Sequence, residues 1–124
     1  NPVTSRAALT TIEIIDDERL VEQAERLGQY TRNYLRDSLK DQPLSPIGEL
    51  RGLGLMLALT LQPGKLPEGV SSEDLVKLVM QKGVSTTSKD AMAIGFSPPL
   101  VISEQEVRLA IDRIVEAAAT QCPP

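Results

Sequence analysis

The apolar positions along this chain follow two rhythms, a helical one and an alternating one, and their order predicts a mixed domain. From Val3 to Ile15, Ala7, Ala8, Ile12 and Ile15 recur at helical spacing with no Gly or Pro between them. This predicts a short helix with so few charges that it needs a neighbour to cover it. Asp16-Asp17-Glu18 offers an N-cap and an acidic first turn for a second helix. There Leu20, Ala24, Leu27, Thr31, Tyr34, Leu35 and Leu39 form one stripe, with Glu22, Glu25, Arg26, Arg32, Arg36 and Lys40 opposite. Gln42-Pro43 and Ser45-Pro46 end that helix, because proline cannot continue it.

Over residues 47–62 the rhythm changes. Leu53, Leu55, Leu57, Leu59 and Leu61 alternate with smaller residues, which predicts a hairpin or two linked strands carrying these leucines on one face. Gln62 to Val70 holds two prolines and two glycines and reads as a loop. Ser71-Ser72-Glu73-Asp74 opens a third helix, with Leu75, Leu78 and Val79 inward and Gly83 as its C-terminal cap. Val84–Thr87 and Ala91–Ser97 read as short strands, the second ended by Pro98-Pro99. The capping box Ser103-Glu104-Gln105-Glu106 starts a last helix striped by Val107, Ala110, Ile111, Ile114, Val115 and Ala118. Short connections favour antiparallel pairing. The expected fold is α+β, a two-layer sandwich with a small, mostly antiparallel sheet of three or four strands and helices on one face. The chain divides into a leading helix (1–15), a domain (16–121) and a tail (122–124).

Composition sharpens this picture. Aromatic residues make up 2% of the 124 residues, so the core must be aliphatic. A net charge of −4 argues against nucleic-acid binding and a polybasic membrane anchor, and no apolar run approaches membrane-spanning length. The chain has no His, which removes Ser-His, Cys-His and His-metal chemistry. The lone Cys122 excludes an internal disulfide and a multi-cysteine metal site, and fits a reducing, cytoplasmic setting. Asn1 in place of Met suggests a piece of a longer protein.

The candidate chemistry is thin. Gly52-Leu53-Gly54 lacks the third glycine and following helix of a dinucleotide fingerprint. Ser88-Lys89 lies in a polar turn where the lysine stays hydrated, unlike a catalytic Ser-Lys pair. Asp16-Asp17 and Glu104/Glu106 sit where helix starts favour acids, which explains them as caps. Cys122, beside two prolines, reads as an exposed, non-catalytic thiol.

Three segments nevertheless resemble a known family in order and spacing. Asn1-Pro2-Val3-Thr4-Ser5 with Ala7-Ala8-Leu9, Ile47-Gly48-Glu49-Leu50-Arg51-Gly52-Leu53-Gly54-Leu55-Met56, and Phe96-Ser97-Pro98-Pro99-Leu100-Val101-Ile102-Ser103-Glu104-Gln105-Glu106-Val107 resemble the C-terminal small domain of class III (fold type I) aminotransferases dependent on pyridoxal phosphate (PLP). The resemblance implies a homodimeric parent enzyme, with PLP as its cofactor, that moves an amino group between an amine or amino acid and a keto acid. It implies that the large domain supplies the Schiff-base lysine, the aspartate under the pyridine nitrogen and most phosphate ligands, all before this chain begins. No catalytic, cofactor-binding or metal residue is then expected here. Lys40, Lys65, Lys77, Lys82 and Lys89 match no Schiff-base position. The chain alone would be inactive, and its role would be a wall of the substrate pocket built from Gly95, Phe96, Ser97 and Lys89. Where several branches of the family carry a carboxylate-gripping arginine, this chain has Gly95. That argues against ornithine, acetylornithine or GABA-type specificity and leaves amine, taurine-like or other substrates open. The rival reading is a stand-alone, non-catalytic α+β binding or regulatory module.

Overall fold

A computed structural model describes residues 1–121. The tail 122–124, with Cys122, lies outside the described residues. Eight elements follow in the order helix, helix, strand, strand, helix, strand, strand, helix.

The first helix, α1 (Pro2–Asp17), opens on Asn1, whose side-chain oxygen accepts from the Val3 N–H at 3.0 Å, with Pro2 where a missing N–H costs nothing. It runs beyond the expected Ile15 and absorbs Asp16 and Asp17, which therefore do not cap the next helix. The second helix, α2 (Leu20–Leu39), starts instead from Arg19 in a left-handed conformation (φ 51°) with no side-chain cap. Ending α1 and starting α2 within three residues needs a sharp reversal, and the left-handed residue supplies it. No residue of α1 is buried, and Val3, Leu9, Ile12 and Ile14 stay exposed. On α2, Leu20, Leu27, Thr31 and Leu35 turn inward as the periodicity requires.

The leucine run is a hairpin, but the reversal falls inside it. Strand β1 (Ile47–Leu53) pairs antiparallel with β2 (Met56–Leu61), and Gly52 (φ 124°) and Gly54 (φ 51°) take the backbone shapes that the turn demands. Leu53 therefore faces Met56 across the hairpin and is 78% exposed, while Leu55 is buried in the turn itself. Only Leu57, Leu59 and Leu61 form the inward strand stripe, so the expected five-leucine face is corrected to three.

Helix α3 (Ser72–Gln81) carries a capping box: Ser71 Oγ accepts from Asp74 N–H, and Ser71 N–H donates to Asp74 Oδ2 at 3.1 Å. Gly83 follows it at φ 81°. The next strand is β3 (Ser88–Asp90), not Val84–Thr87, and it pairs with β4 (Ala93–Phe96) through an irregular register. The expected strand is displaced because its polar side chains compete for the ladder: Thr86 Oγ1 donates to the Gly95 carbonyl. Only Thr87 O still receives a main-chain bond, from Gly95 N–H at 2.7 Å. Helix α4 (Glu104–Gln121) begins at the second capping box, where Ser103 N–H donates to Glu106 Oε2 at 2.8 Å.

The sheet order is β1-β2-β4-β3, antiparallel throughout. Register pairs Leu57 with Phe96 and Leu59 with Ile94 on one face, and Ala58 with Gly95 and Thr60 with Ala93 on the other. The first face meets Leu35, Leu75, Val79, Val107, Ile111, Ile114 and Ala118 from α2, α3 and α4 in a single aliphatic core. The fold is thus the expected α+β layer of helices on a four-stranded antiparallel sheet. Tyr30 and Tyr34 stack at the α2–α4 contact, with Arg108 over both rings and Tyr34 OH donating to Asp112 at 2.9 Å. No helix among the described residues is long and apolar enough to cross a membrane.

Candidate functional site

The helices of the core pack on the first sheet face, and among the described residues none packs on the second. Its floor is small and its ends are polar: Ala58, Thr60, Ala93 and Gly95 lie between Glu49 and Arg51 on β1 and Lys89 on β3. Glu49 and Arg51 form an ion pair at 2.6 Å.

Two of the four residues expected as a pocket wall come together on this face. The stem of Lys89 crosses from β3 over Gly95. A Cβ built on Gly95 would lie 2.6 Å from Lys89 Cε, 3.4 Å from its Nζ and 3.2 Å from Thr87 Oγ1. The missing side chain of Gly95 is what makes room for both groups, and their cover leaves Gly95 buried. Phe96 does not share that face. It is 5% exposed, sits in the core opposite Leu57, and edges a cleft between the end of β4 and α4 near Pro99, Ala110 and Arg113. Its ring holds β4 from below rather than meeting Lys89. Ser97 is exposed just past the strand end, at the rim of a mostly apolar cleft of about 430 Å³ formed by Leu20, Val21, Leu53, Met56 and Leu100.

The rejected motifs have structural explanations. Gly52-Leu53-Gly54 is the hairpin turn. The Ser88 hydroxyl is engaged by Ser72 Oγ at 2.9 Å and the Asp90 carbonyl at 3.1 Å, away from its lysine neighbour. Sequence reasoning missed two contributors. Thr87 is recognisable only once the β3–β4 register is known. Ser72, a buried helix-start serine, donates to Asp90 O at 2.6 Å and so clips β3 to α3.

The residues present do not by themselves fit PLP. A Schiff-base lysine must be desolvated and free to give up its proton. Lys40, Lys77 and Lys82 pair with Asp37, Asp74 and Glu116, and the Asp74 hydrogen bond raises the Lys77 pKa. Lys65 donates to the Pro43 carbonyl at 2.8 Å, and Lys89 is exposed. Among the described residues, therefore, no lysine is in a Schiff-base setting.

The fold and this face define a small α+β domain with one covered and one bare sheet surface. The chain belongs to the class III aminotransferases: the model of the family described as aminotransferase class-III matches residues 1–118. It is 33% identical over 116 residues to the ornithine aminotransferase of Saccharomyces cerevisiae, covering 94% of this chain and 27% of that protein. Among solved structures it is similar to an omega transaminase 6-fold mutant from Pseudomonas jessenii (TM-score 0.80, 32% identity, 97% of this chain, 27% of that one). It is also similar to the ornithine aminotransferase of Toxoplasma gondii (TM-score 0.76, 30% identity, 92% of this chain, 26% of that one), whose active site holds PLP at partial occupancy. The chain thus spans about a quarter of the length of these relatives.

Proposed function

We propose that this chain is the C-terminal small domain of a PLP-dependent class III aminotransferase that moves an amino group between an amine or amino acid and a keto acid. The observation that carries the reading is the lopsided coverage: 97% of this chain aligns with 27% of the omega transaminase. The Schiff-base lysine and the cofactor's phosphate ligands belong to the large domain of the same protein. The parent enzyme is a cytoplasmic homodimer, and the isolated chain is inactive. The bare sheet face and the exposed apolar side of α1 are the surfaces on which the large domain rests. An unpartnered helix of this length would gain little stability alone and normally relies on tertiary packing. Gly95 and Lys89 line the substrate pocket from the sheet, Ser97 lines it from the strand end, and Phe96 supports β4 from the core.

The test compares the full parent protein with the isolated chain, each given PLP, propylamine and pyruvate. Alanine formation by the parent, none by the chain, and a dimeric parent by light scattering are the expected results. Amino transfer by the isolated chain, or none by the parent with any amine donor, would overturn the reading.

A further inference from the structure

We propose that the cleft between the α3–β3 connection, the end of β4 and α4 is a binding site for a small monocarboxylate with an aliphatic body, held by the guanidinium of Arg113. The site is separate from the reaction read above. Arg113 stands on a helix that packs on the core face of the sheet, whereas Gly95 and Lys89 meet on the bare face; the strand end at Phe96 and Ser97 is what the two share.

The first support is charge. From Arg19 onward, every other arginine meets an acceptor. Arg19, Arg26 and Arg51 meet Glu22, Glu104 and Glu49. Arg32 meets the Leu50 and Gly52 carbonyls, Arg36 meets Asn33, and Arg108 meets the Tyr30 hydroxyl. Arg113 is half-buried and meets none among the described residues. The carboxylates around it on α4 are engaged elsewhere: Glu116 with Lys82, Asp112 with the Tyr34 hydroxyl, and Glu106 with the Ser103 N–H and hydroxyl. A guanidinium cannot shed its charge, so one that is half-buried without a counter-ion favours an anion supplied from outside.

The second support is placement. The Arg113 side chain reaches from α4 across to Gly83, where an added Cβ would lie 3.1 Å from Nη1. Gly83, at φ 81°, thus closes α3 and leaves room for the guanidinium at one end of the cleft. The cation is not spent as a cap on that helix. The Leu78, Val79 and Met80 carbonyls already accept from the N–H groups of Lys82, Gly83 and Val84.

The third support is shape. The cleft holds about 390 Å³, within the range of small-molecule sites. Its walls are largely apolar, built from Pro98, Pro99, Ile102, Leu109 and Ala110. The planar fork of an arginine matches a carboxylate bidentately, and the walls suit an aliphatic chain. A second charged group on the ligand would be desolvated against those walls without a partner, which restricts the class to monocarboxylates.

The test uses the full parent protein and its Arg113→Gln variant, with 4-methylpentanoate as ligand and 4-methylpentanamide as neutral control. Calorimetry reads affinity. Phenylglyoxal modification with and without 4-methylpentanoate, mapped by mass spectrometry, reads which arginine the carboxylate shields. The expected result is binding of the carboxylate to the parent, with Arg113 shielded. Binding at least roughly tenfold weaker is expected for the amide and for Arg113→Gln, the loss of a charge-assisted contact. Carboxylate affinity unchanged by Arg113→Gln, an amide that binds as tightly, shielding that omits Arg113, or no binding at millimolar concentration overturns the site. The Arg113 side chain makes no internal hydrogen bond or ion pair among the described residues, so the variant should melt with the parent. If it does not fold, the shielding of Arg113 in the parent, present or absent, decides the matter alone.

Discussion

Replacing Gly28 by Ala should destabilise the domain, although the same change in most helices does the reverse. Gly28 lies inside α2, where alanine is ordinarily better by about 1 kcal/mol. Here the helix is pressed against the β1–β2 turn. A Cβ on Gly28 would sit 2.2 Å from the Gly54 carbonyl oxygen, 2.8 Å from its carbon and 3.1 Å from its Cα. The obstacle is main chain, and Gly54 is itself held at φ 51° beside the Leu53–Met56 pair, so it cannot swing aside as a side chain would. Overpacking of this kind costs about 1–3 kcal/mol, and a backbone partner places it at the upper end. Subtracting the helix gain leaves a net loss of about 2 kcal/mol. For a chain of this size that lowers Tm by about 8 °C. Urea unfolding followed by circular dichroism reads the change directly as a lower midpoint at unchanged slope. A variant as stable as the parent sequence, or more stable, would refute the close approach of α2 to the turn.

Three further outcomes follow from the same geometry. Leu57→Ala should cost about 2–5 kcal/mol, because Leu57 is 2% exposed, whereas Leu53→Ala should cost less than about 0.5 kcal/mol; equal losses would restore the five-leucine face. Arg19→Gly should leave unfolding free energy unchanged or raise it by about 1 kcal/mol, since glycine takes the left-handed shape without strain and the exposed Glu22 pair contributes little; a clear loss in denaturant melts would contradict that. Asp74 is held below the usual carboxylate range by its hydrogen bond from Lys77 and those from Ser71, so its folded pKa lies under its unfolded one. Its contribution is therefore complete above the ordinary carboxylate pKa and fades as pH falls below it. Asp74→Asn should flatten the acid limb of a stability–pH curve, and an unaltered limb would dismiss the capping pair as a source of it.

Most of the architecture was legible because periodicity and capping are local signals. The stripes of α2 and α4, the Ser71 and Ser103 boxes and the element order need no tertiary information. What escaped were the features set by neighbours. Asp16 and Asp17 look like caps, but the left-handed Arg19 is a tertiary compromise between two abutting helices. The alternation of leucines is real, yet a turn placed by Gly52 and Gly54 interrupts it, and the alternation alone cannot locate that turn. Gly28 carries no local signal at all; its reason is the carbonyl of Gly54. The candidate site divides the same way. Gly95 and Lys89 were identified by resemblance, but their contact and the part played by Thr87 depend on the irregular β3–β4 register. The β2–β4 register, which sets Phe96 opposite Leu57, turns its ring into the core.

If, as proposed, this domain walls a pocket whose cofactor is bound elsewhere in the same protein, the lysine that holds the cofactor lies outside it. Borohydride reduction of the full parent with PLP, followed by mass-spectrometric mapping of the modified peptide, tests it most directly. One stoichiometrically labelled lysine outside these 124 residues is the expected result. A single, stoichiometric label on Lys40, Lys65, Lys77, Lys82 or Lys89 would contradict it.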